Sequence, residues 1–222
     1  MHISLYHLGD RCGPGIIIDD ILKQKKKCLF MLGFYPFNDI LHYLNDNHYE
    51  NIYNKKYLLP DANDSTFVYH TGYNFIFNHD YVTSNGEITN YDFVKQRFDL
   101  KIKNFREMLG EDNLCIFINF TDNVAELKIV DMLIWLNNHK KNFHLIIFTT
   151  NPDVSSYYSE HDRLSIIMLK KQYNSWFTLP KEEKMDLYRE IYGEFLECLK
   201  VNHIIHDFPK SFEETHYFIN NS

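Results

Sequence analysis

Cys12 stands at the junction with the clearest chemistry in the chain, after Leu8-Gly9-Asp10 and before Gly13-Pro14-Gly15. An apolar run precedes this junction. After it Ile17, Ile18, Ile21 and Leu22 recur at helical spacing, and Pro14 fits a first helical turn, where a missing N–H is tolerated. A cysteine at such an N-terminus faces unpaired backbone N–H groups and the positive end of the helix dipole. Both favour the thiolate, the form that attacks a carbonyl carbon. Gly9 and Gly13 let the backbone approach a bound group closely, and with Asp10 they are the expected substrate-binding residues of this junction. Phosphate chemistry is excluded on spacing. No Gly-Lys-Ser/Thr ending follows, and the Cys-to-Arg spacing of cysteine phosphatases puts an arginine at position 18, where the chain has Ile18. The Gly9-Asp10 pair is also similar to the start of lipase-type GDS hydrolases, but the junction has no serine.

A thiolate nucleophile needs a base within hydrogen-bond reach and a group that orients the base. His79 is the candidate base, because it follows the apolar run Tyr73 to Phe77 and precedes a Gly-containing loop. Neighbours on a strand point to opposite faces, so Asp80 is expected to bind backbone at the turn. Asn119 or Asp122, just past the carboxyl end of a later strand, is then left to orient the imidazole, in the region where open α/β sheets collect ligands. Asp122 also fits an N-cap for the following helix, and Asn38 or Asp39 a cap or brace for the turn after Pro36, where both are also expected as substrate-binding residues. His161-Asp162 repeats the His-Asp pair in a polar loop and is expected in solvent. His203 and His206 lack a cysteine at a zinc-like spacing, so no metal is expected, and no cofactor.

These residues must be carried by a scaffold. Ile3 to Leu8 reads as a first strand. Phe37, Ile40, Leu41 and Leu44 predict a short amphipathic helix, and residues 45–65, rich in Asn, Asp, Tyr and Lys, a polar excursion. Thr66 to His70 and Tyr73 to Phe77, separated by Thr71-Gly72, predict a hairpin. Tyr91, Val94, Phe98, Ile102, Phe105 and Leu109 step by three or four and predict a long helix closing near Gly110. The apolar runs Leu114–Phe120, Phe143–Phe148 and Leu164–Leu169 then alternate with helical periodicity over Val124–Leu136. A final helix is predicted over Lys181–Leu199, followed by an irregular tail from His203 to Ser222. Alternation of this kind predicts an α/β fold, a mostly parallel sheet flanked by helices with a small β-hairpin insertion, in one domain of 222 residues.

A net charge of −7 argues against a nucleic-acid partner. The basic cluster Lys23 to Lys27 reads as the solvated end of the first helix. Cys12, Cys28, Cys115 and Cys198 form no CxxC pair and read as reduced thiols, which predicts a cytoplasmic protein. No apolar run approaches the ~20 residues that cross a bilayer, so no membrane partner is expected, and the sequons at Asn63 and Asn119 are not expected to be glycosylated. Abundant Asn, Lys, Ile, Phe and Tyr with scarce Gly suggest an A/T-rich genome, such as that of a large DNA virus or a parasite.

The succession Leu8-Gly9-Asp10-x-Cys12, Tyr35-Pro36-Phe37-Asn38-Asp39, Phe77-Asn78-His79-Asp80-Tyr81, a helix through Arg97 to Phe105, and Leu114-Cys115-Ile116-Phe117-Ile118 resembles a papain-like cysteine peptidase family of undetermined function. That family occurs in large DNA viruses and some bacteria. The resemblance covers about residues 3 to 150 in order. Pro36-Phe37-Asn38-Asp39 stands where the family has Pro-Phe-Asp-Trp, and Lys101 where it has arginine. The resemblance implies Cys12 as nucleophile and His79 as base with Asp80 close by. Its cysteine-then-histidine order agrees with papain-like enzymes, whereas the alternation of elements favours a parallel α/β sheet.

The expected function is a cysteine hydrolase acting on an amide, isopeptide or ester bond of a protein or peptide substrate, in the host cytoplasm if the chain is viral. The alternative is a non-catalytic module that binds a host protein through exposed aromatics, with Tyr49 to Tyr57 and Tyr157-Tyr158 as anchors.

Overall fold

The computed structural model describes residues 3–9, 28–30, 33–64, 66–78, 80–156, 161–170, 178–204 and 208–215. Asp10, Cys12, Gly13, the helix expected after Pro14, the cluster Lys23 to Lys27, His79, Tyr157, Tyr158 and His206 lie outside them.

The elements are, in order, β1 (Ile3–His7), β2 (Gly33–Phe34), α1 (Phe37–Asp46), two 3-10 turns (Tyr49–Tyr53 and Lys55–Tyr57), β3 (Leu58–Pro60), β4 (Val68–His70), β5 (Phe75–Phe77), β6 (Thr83–Ser84), β7 (Glu87–Ile88) and α2 (Tyr91–Gly110). Then come β8 (Leu114–Phe120), α3 (Glu126–His139), β9 (Phe143–Thr149), the one-turn α4 (Pro152–Ser155), β10 (Leu164–Met168) and α5 (Lys181–Val201). The fold is α/β, as the alternation predicts. Four strands form a wholly parallel sheet in the order β1-β8-β9-β10, with Ile3 opposite Leu114 and Leu164 opposite Leu145.

Alternation along each strand divides the core in two. Tyr6, Phe117, Leu145 and Ile147 face a layer that contains Phe37 and Leu44 of α1, Phe98 and Phe105 of α2, and Met132 and Leu136 of α3. Leu5, Ile116, Ile118, Ile146 and Phe148 face the other layer, where α5 contributes Leu187, Ile191, Phe195 and Leu199. Burial on both faces explains why these strands read as continuous apolar runs.

The predicted hairpin is present but belongs to a larger unit. β4 and β5 are the middle of a four-stranded antiparallel sheet ordered β2-β5-β4-β3, and β6 and β7 form a separate two-stranded ribbon. Residues 45–65 are not the polar excursion their composition suggests. Tyr49, Ile52 and Tyr53 are buried at the spacing of one helical turn, and the Tyr49 ring meets Phe105 of α2 at 5.7 Å. The tail is likewise partly built in, since Phe212 is buried against Tyr188 of α5.

Lys140 closes the end of α2. It is 1% exposed, and its ammonium donates to Met108 O at 2.9 Å, to Glu111 O and to Asn113 Oδ1 at 3.2 Å. A cation thus caps the carbonyl end of α2, where the helix dipole is negative.

Candidate functional site

The carboxyl end of β1 is held by β8. Leu8 N–H continues the ladder to Ile118 O at 2.8 Å, and the Asn119 side chain then takes over, its Nδ2 donating to Leu8 O at 2.5 Å with Gly9 O at 3.4 Å. Asn119 is fully buried, and its Oδ1 has no hydrogen-bond partner among the described residues. Sequence position makes it, or Asp122, the expected orienter of an imidazole. In the structure its donor is committed to the β1 carbonyls, because a strand end leaves backbone acceptors that burial requires to be satisfied. Burial also closes the Asn119 sequon in the folded chain.

Gly9 turns the chain out of the sheet with φ +69°, a left-handed conformation, and a Cβ there would lie 2.7 Å from Tyr35 Cβ and from Ile40 Cδ1. Gly9 therefore packs against the turn into α1. Asn38 and Asp39 occupy the first turn of that helix, but neither caps it. The N-cap position is Pro36, with no side-chain cap bond, and Asp39 Oδ1 accepts from Asn74 Nδ2 at 3.1 Å, bracing α1 against the turn between β4 and β5. Asn38 is exposed.

Asp80 also departs from expectation. Its side chain is buried and faces helix cations rather than backbone, with Oδ1 3.5 Å from Arg97 Nη2 and 3.7 Å from Lys101 Nζ. Both separations exceed an ordinary hydrogen bond, so charge holds the group. Backbone pairing at this turn falls instead to the Asp80 carbonyl, which accepts from Asn90 Nδ2 at 3.0 Å. Lys101, where the resembled family has arginine, is thus an ion-pair partner of Asp80.

Asp122 is not the cap of α3, a position held by Ala125. Its carboxylate accepts from Thr149 Oγ1 at 2.9 Å, Thr150 N at 2.5 Å and Thr150 Oγ1 at 2.9 Å, tying the carboxyl ends of β8 and β9 together. Both oxygens are engaged, so Asp122 clamps the two strand ends. Tyr49 and Tyr53, expected as surface anchors, are core residues, whereas Tyr57 is half-buried. Asp162 is exposed as expected and lies 3.5 Å from His161 Nδ1.

Two features were missed at the sequence level. The first is a cleft of about 590 Å³ between α1 and α3, running past Asn38, Leu41, Asn45, Ile134, Trp135 and Asn138. The i, i+7 pairs Asn38/Asn45 and Asp131/Asn138, with the apolar residues between them, are its only signal in the sequence. The second is a set of three buried histidines among the described residues. His7 Nδ1 lies 3.3 Å from Phe30 O, with no partner for Nε2 among the described residues, His70 Nε2 lies 2.8 Å from Asn51 O, and His144 Nε2 lies 2.9 Å from Ser165 Oγ. Burial pushes the His7 and His144 imidazoles down to a pKa of about 4 and also lowers that of His70. Cys28, Cys115 and Cys198 are buried and none is in a disulfide, and burial raises the thiol pKa of Cys115 and Cys198, so neither of these two resembles an activated nucleophile.

Among the described residues no cluster of three His, Cys, Asp or Glu side chains is arranged to hold a metal ion, and no helix is long and apolar enough to cross a membrane. No family model, curated protein or solved structure matches the chain.

Proposed function

We propose that the chain is a cysteine hydrolase of the papain-like kind, acting in the cytoplasm, that of the host if the chain is viral, on an amide, isopeptide or ester bond of a protein or peptide. His79 takes the proton of Cys12, the thiolate attacks the carbonyl carbon, and the N–H of Gly13 and its neighbours receive the oxyanion. The leaving group departs with the proton from His79. Water then hydrolyses the thioester and restores the thiol. Asn119 serves this reading as the residue that fixes where β1 ends, and Asp80 as the anchor of the chain beside His79.

The observation that carries the reading is a chain of contacts. Gly9 packs on Tyr35, and the Tyr35 ring lies 6.0 Å from that of Phe77. Cys12 is three residues beyond Gly9 and His79 two beyond Phe77, so chain length limits them to within ~11 Å and ~7 Å of those anchors. Tethering of both groups to neighbouring anchors supports the reading, whose mechanism requires the nucleophile and base within hydrogen-bond reach.

Labelling of the full-length protein with a thiol-reactive acyl probe tests this. Cys12→Ala is expected to abolish the label and His79→Ala to slow it by two orders of magnitude or more, on the order of a general base's contribution. Equal labelling of the parent and Cys12→Ala rejects the proposal.

A further inference from the structure

His70 is 1% exposed, yet of the turn it supports between β4 and β5 only Tyr73 is buried, and Thr71, Gly72 and Asn74 lie at the surface. Both nitrogens of its ring are engaged, in opposite roles. Nε2 lies 2.8 Å from Asn51 O, and Nδ1 lies 3.2 Å from the backbone nitrogens of both Gly72 and Tyr73. A carbonyl only accepts and a backbone N–H only donates, so Nε2 carries the hydrogen and Nδ1 is bare. One neutral tautomer satisfies all three contacts. A second proton, on Nδ1, sets a donor against two donors.

The contacts close a circuit. Asn51 Nδ2 donates to Asp46 Oδ2 at 2.9 Å, the Tyr73 hydroxyl donates to the same oxygen, and the Tyr73 N–H returns to His70. The last turn of α1, the 3-10 turn Tyr49–Tyr53 and the hairpin thus hold one another. The ring is faced by Tyr73, stacked at 4.8 Å, by Tyr57 at 5.3 Å, and by Phe75 and Phe77 of β5 at 6.0 and 6.4 Å, with Lys56 Nζ 5.0 Å from the Tyr57 ring. Asp46 enters through Tyr73 and Asn51, and among the described residues no carboxylate pairs with the imidazole. Tyrosine faces attract a cation, but they give an N–H at the ring edge no acceptor. Burial accordingly holds the His70 pKa below its ordinary value. Thr71 N–H donates to Tyr57 O at 2.8 Å independently of the ring, so what His70 supports is the stretch just beyond, Gly72 and Tyr73.

We propose that His70 is an acid-operated latch on the β4–β5 hairpin, in which a proton on Nδ1 releases Gly72 and Tyr73 and opens the turn while the sheets stay folded. It rests on the hydrolase reading in one consequence only. The ring packs on Phe77, two residues before His79, so an open latch loosens the mount of the candidate base and lowers activity in acid.

The sign follows from linkage. In the open turn the ring meets water and takes its proton near the ordinary value of about 6.5, above that of the closed latch. The latch is therefore fully closed above that pH, and its opening constant rises as pH falls, by up to about tenfold per unit until the closed ring also titrates.

Native-state hydrogen exchange of the full-length protein, read residue by residue and corrected for the intrinsic pH dependence of exchange, tests this. Between pH 7.5 and pH 5.5 the opening constant at Gly72 and Tyr73 is expected to rise about tenfold, and those at Ile116 of β8 and Phe105 of α2 by less. His70→Asn keeps an acceptor for the two N–H groups and has no proton to gain, so the rise is expected to vanish in it, and His70→Gln takes its place should the first variant not fold. A flat profile in the parent, the same rise in the variant, or an equal rise at Ile116 and Phe105 overturns the latch. The expected profile in a protein whose Cys12 does not react with the acyl probe supports the latch and removes only the hydrolase reading.

Discussion

The Asn119 carboxamide donates to the Leu8 carbonyl at 2.5 Å, so a side chain of β8 replaces the ladder where β1 runs out of partners. Removing it strands buried carbonyls. Asn119→Ala is expected to lower stability by about 2 kcal/mol in urea unfolding. Asn119→Asp is expected to cost more, because it sets a carboxylate against two carbonyl oxygens. If the chain beyond Gly9 depends on this clamp, acyl-probe labelling of Cys12 falls in both variants under conditions where they remain folded.

Gly9 leaves no room for a side chain, and its φ of +69° disfavours one independently. Gly9→Ala is expected to destabilise by about 2 kcal/mol or more, from backbone strain and from contact with Tyr35 and Ile40. Ile40→Val removes Cδ1 and with it one of the close contacts. The double variant should therefore melt above Gly9→Ala alone, though below the parent, because the contact with Tyr35 remains in it.

Asp80 and Lys101 are both buried and 3.7 Å apart, with Arg97 on the same carboxylate. Neutralising the acid alone leaves buried positive charge. Asp80→Asn is expected to cost about 3 kcal/mol. Lys101→Met in that background is expected to restore part of the loss, giving a favourable coupling energy in a double-mutant cycle measured by denaturant unfolding.

Where a single periodicity dominated, the sequence was sufficient. Leu114–Phe120 is continuous because both faces are buried, and the spacing from Tyr91 to Leu109 located α2 almost to its last residue. Two-residue strands such as β2 and β6 are too short for any period. Tyr49, Ile52 and Tyr53 were hidden by Asn and Lys neighbours that face water while the three apolar groups turn inward. The site was legible as residue types and not as partnerships. Asp80 was expected on backbone and meets two cations, and Asp122 was expected as a cap and clamps two strands. Such pairings join residues distant in sequence, and no local spacing encodes them.

His7 gives a prediction with a definite sign. Burial penalises its charged form, against the small help of Phe30 O beside Nδ1, and no acceptor for Nε2 stands among the described residues, so the native pKa falls to about 4. The unfolded chain takes that proton near the ordinary histidine value of about 6.5. Between these values the unfolded state binds more protons than the native one, so stability is full above about pH 6.5 and declines as pH falls toward 4, by about 3 kcal/mol from this residue. His144, also depressed to about 4, adds to the slope. The urea midpoint is therefore expected to drop between pH 7 and pH 5, a window in which most carboxylates stay ionised. His7→Phe, which has no proton to gain, should show a shallower decline than the parent despite a lower starting stability. Parallel curves for the two proteins would rule out His7 as the origin of the acid sensitivity.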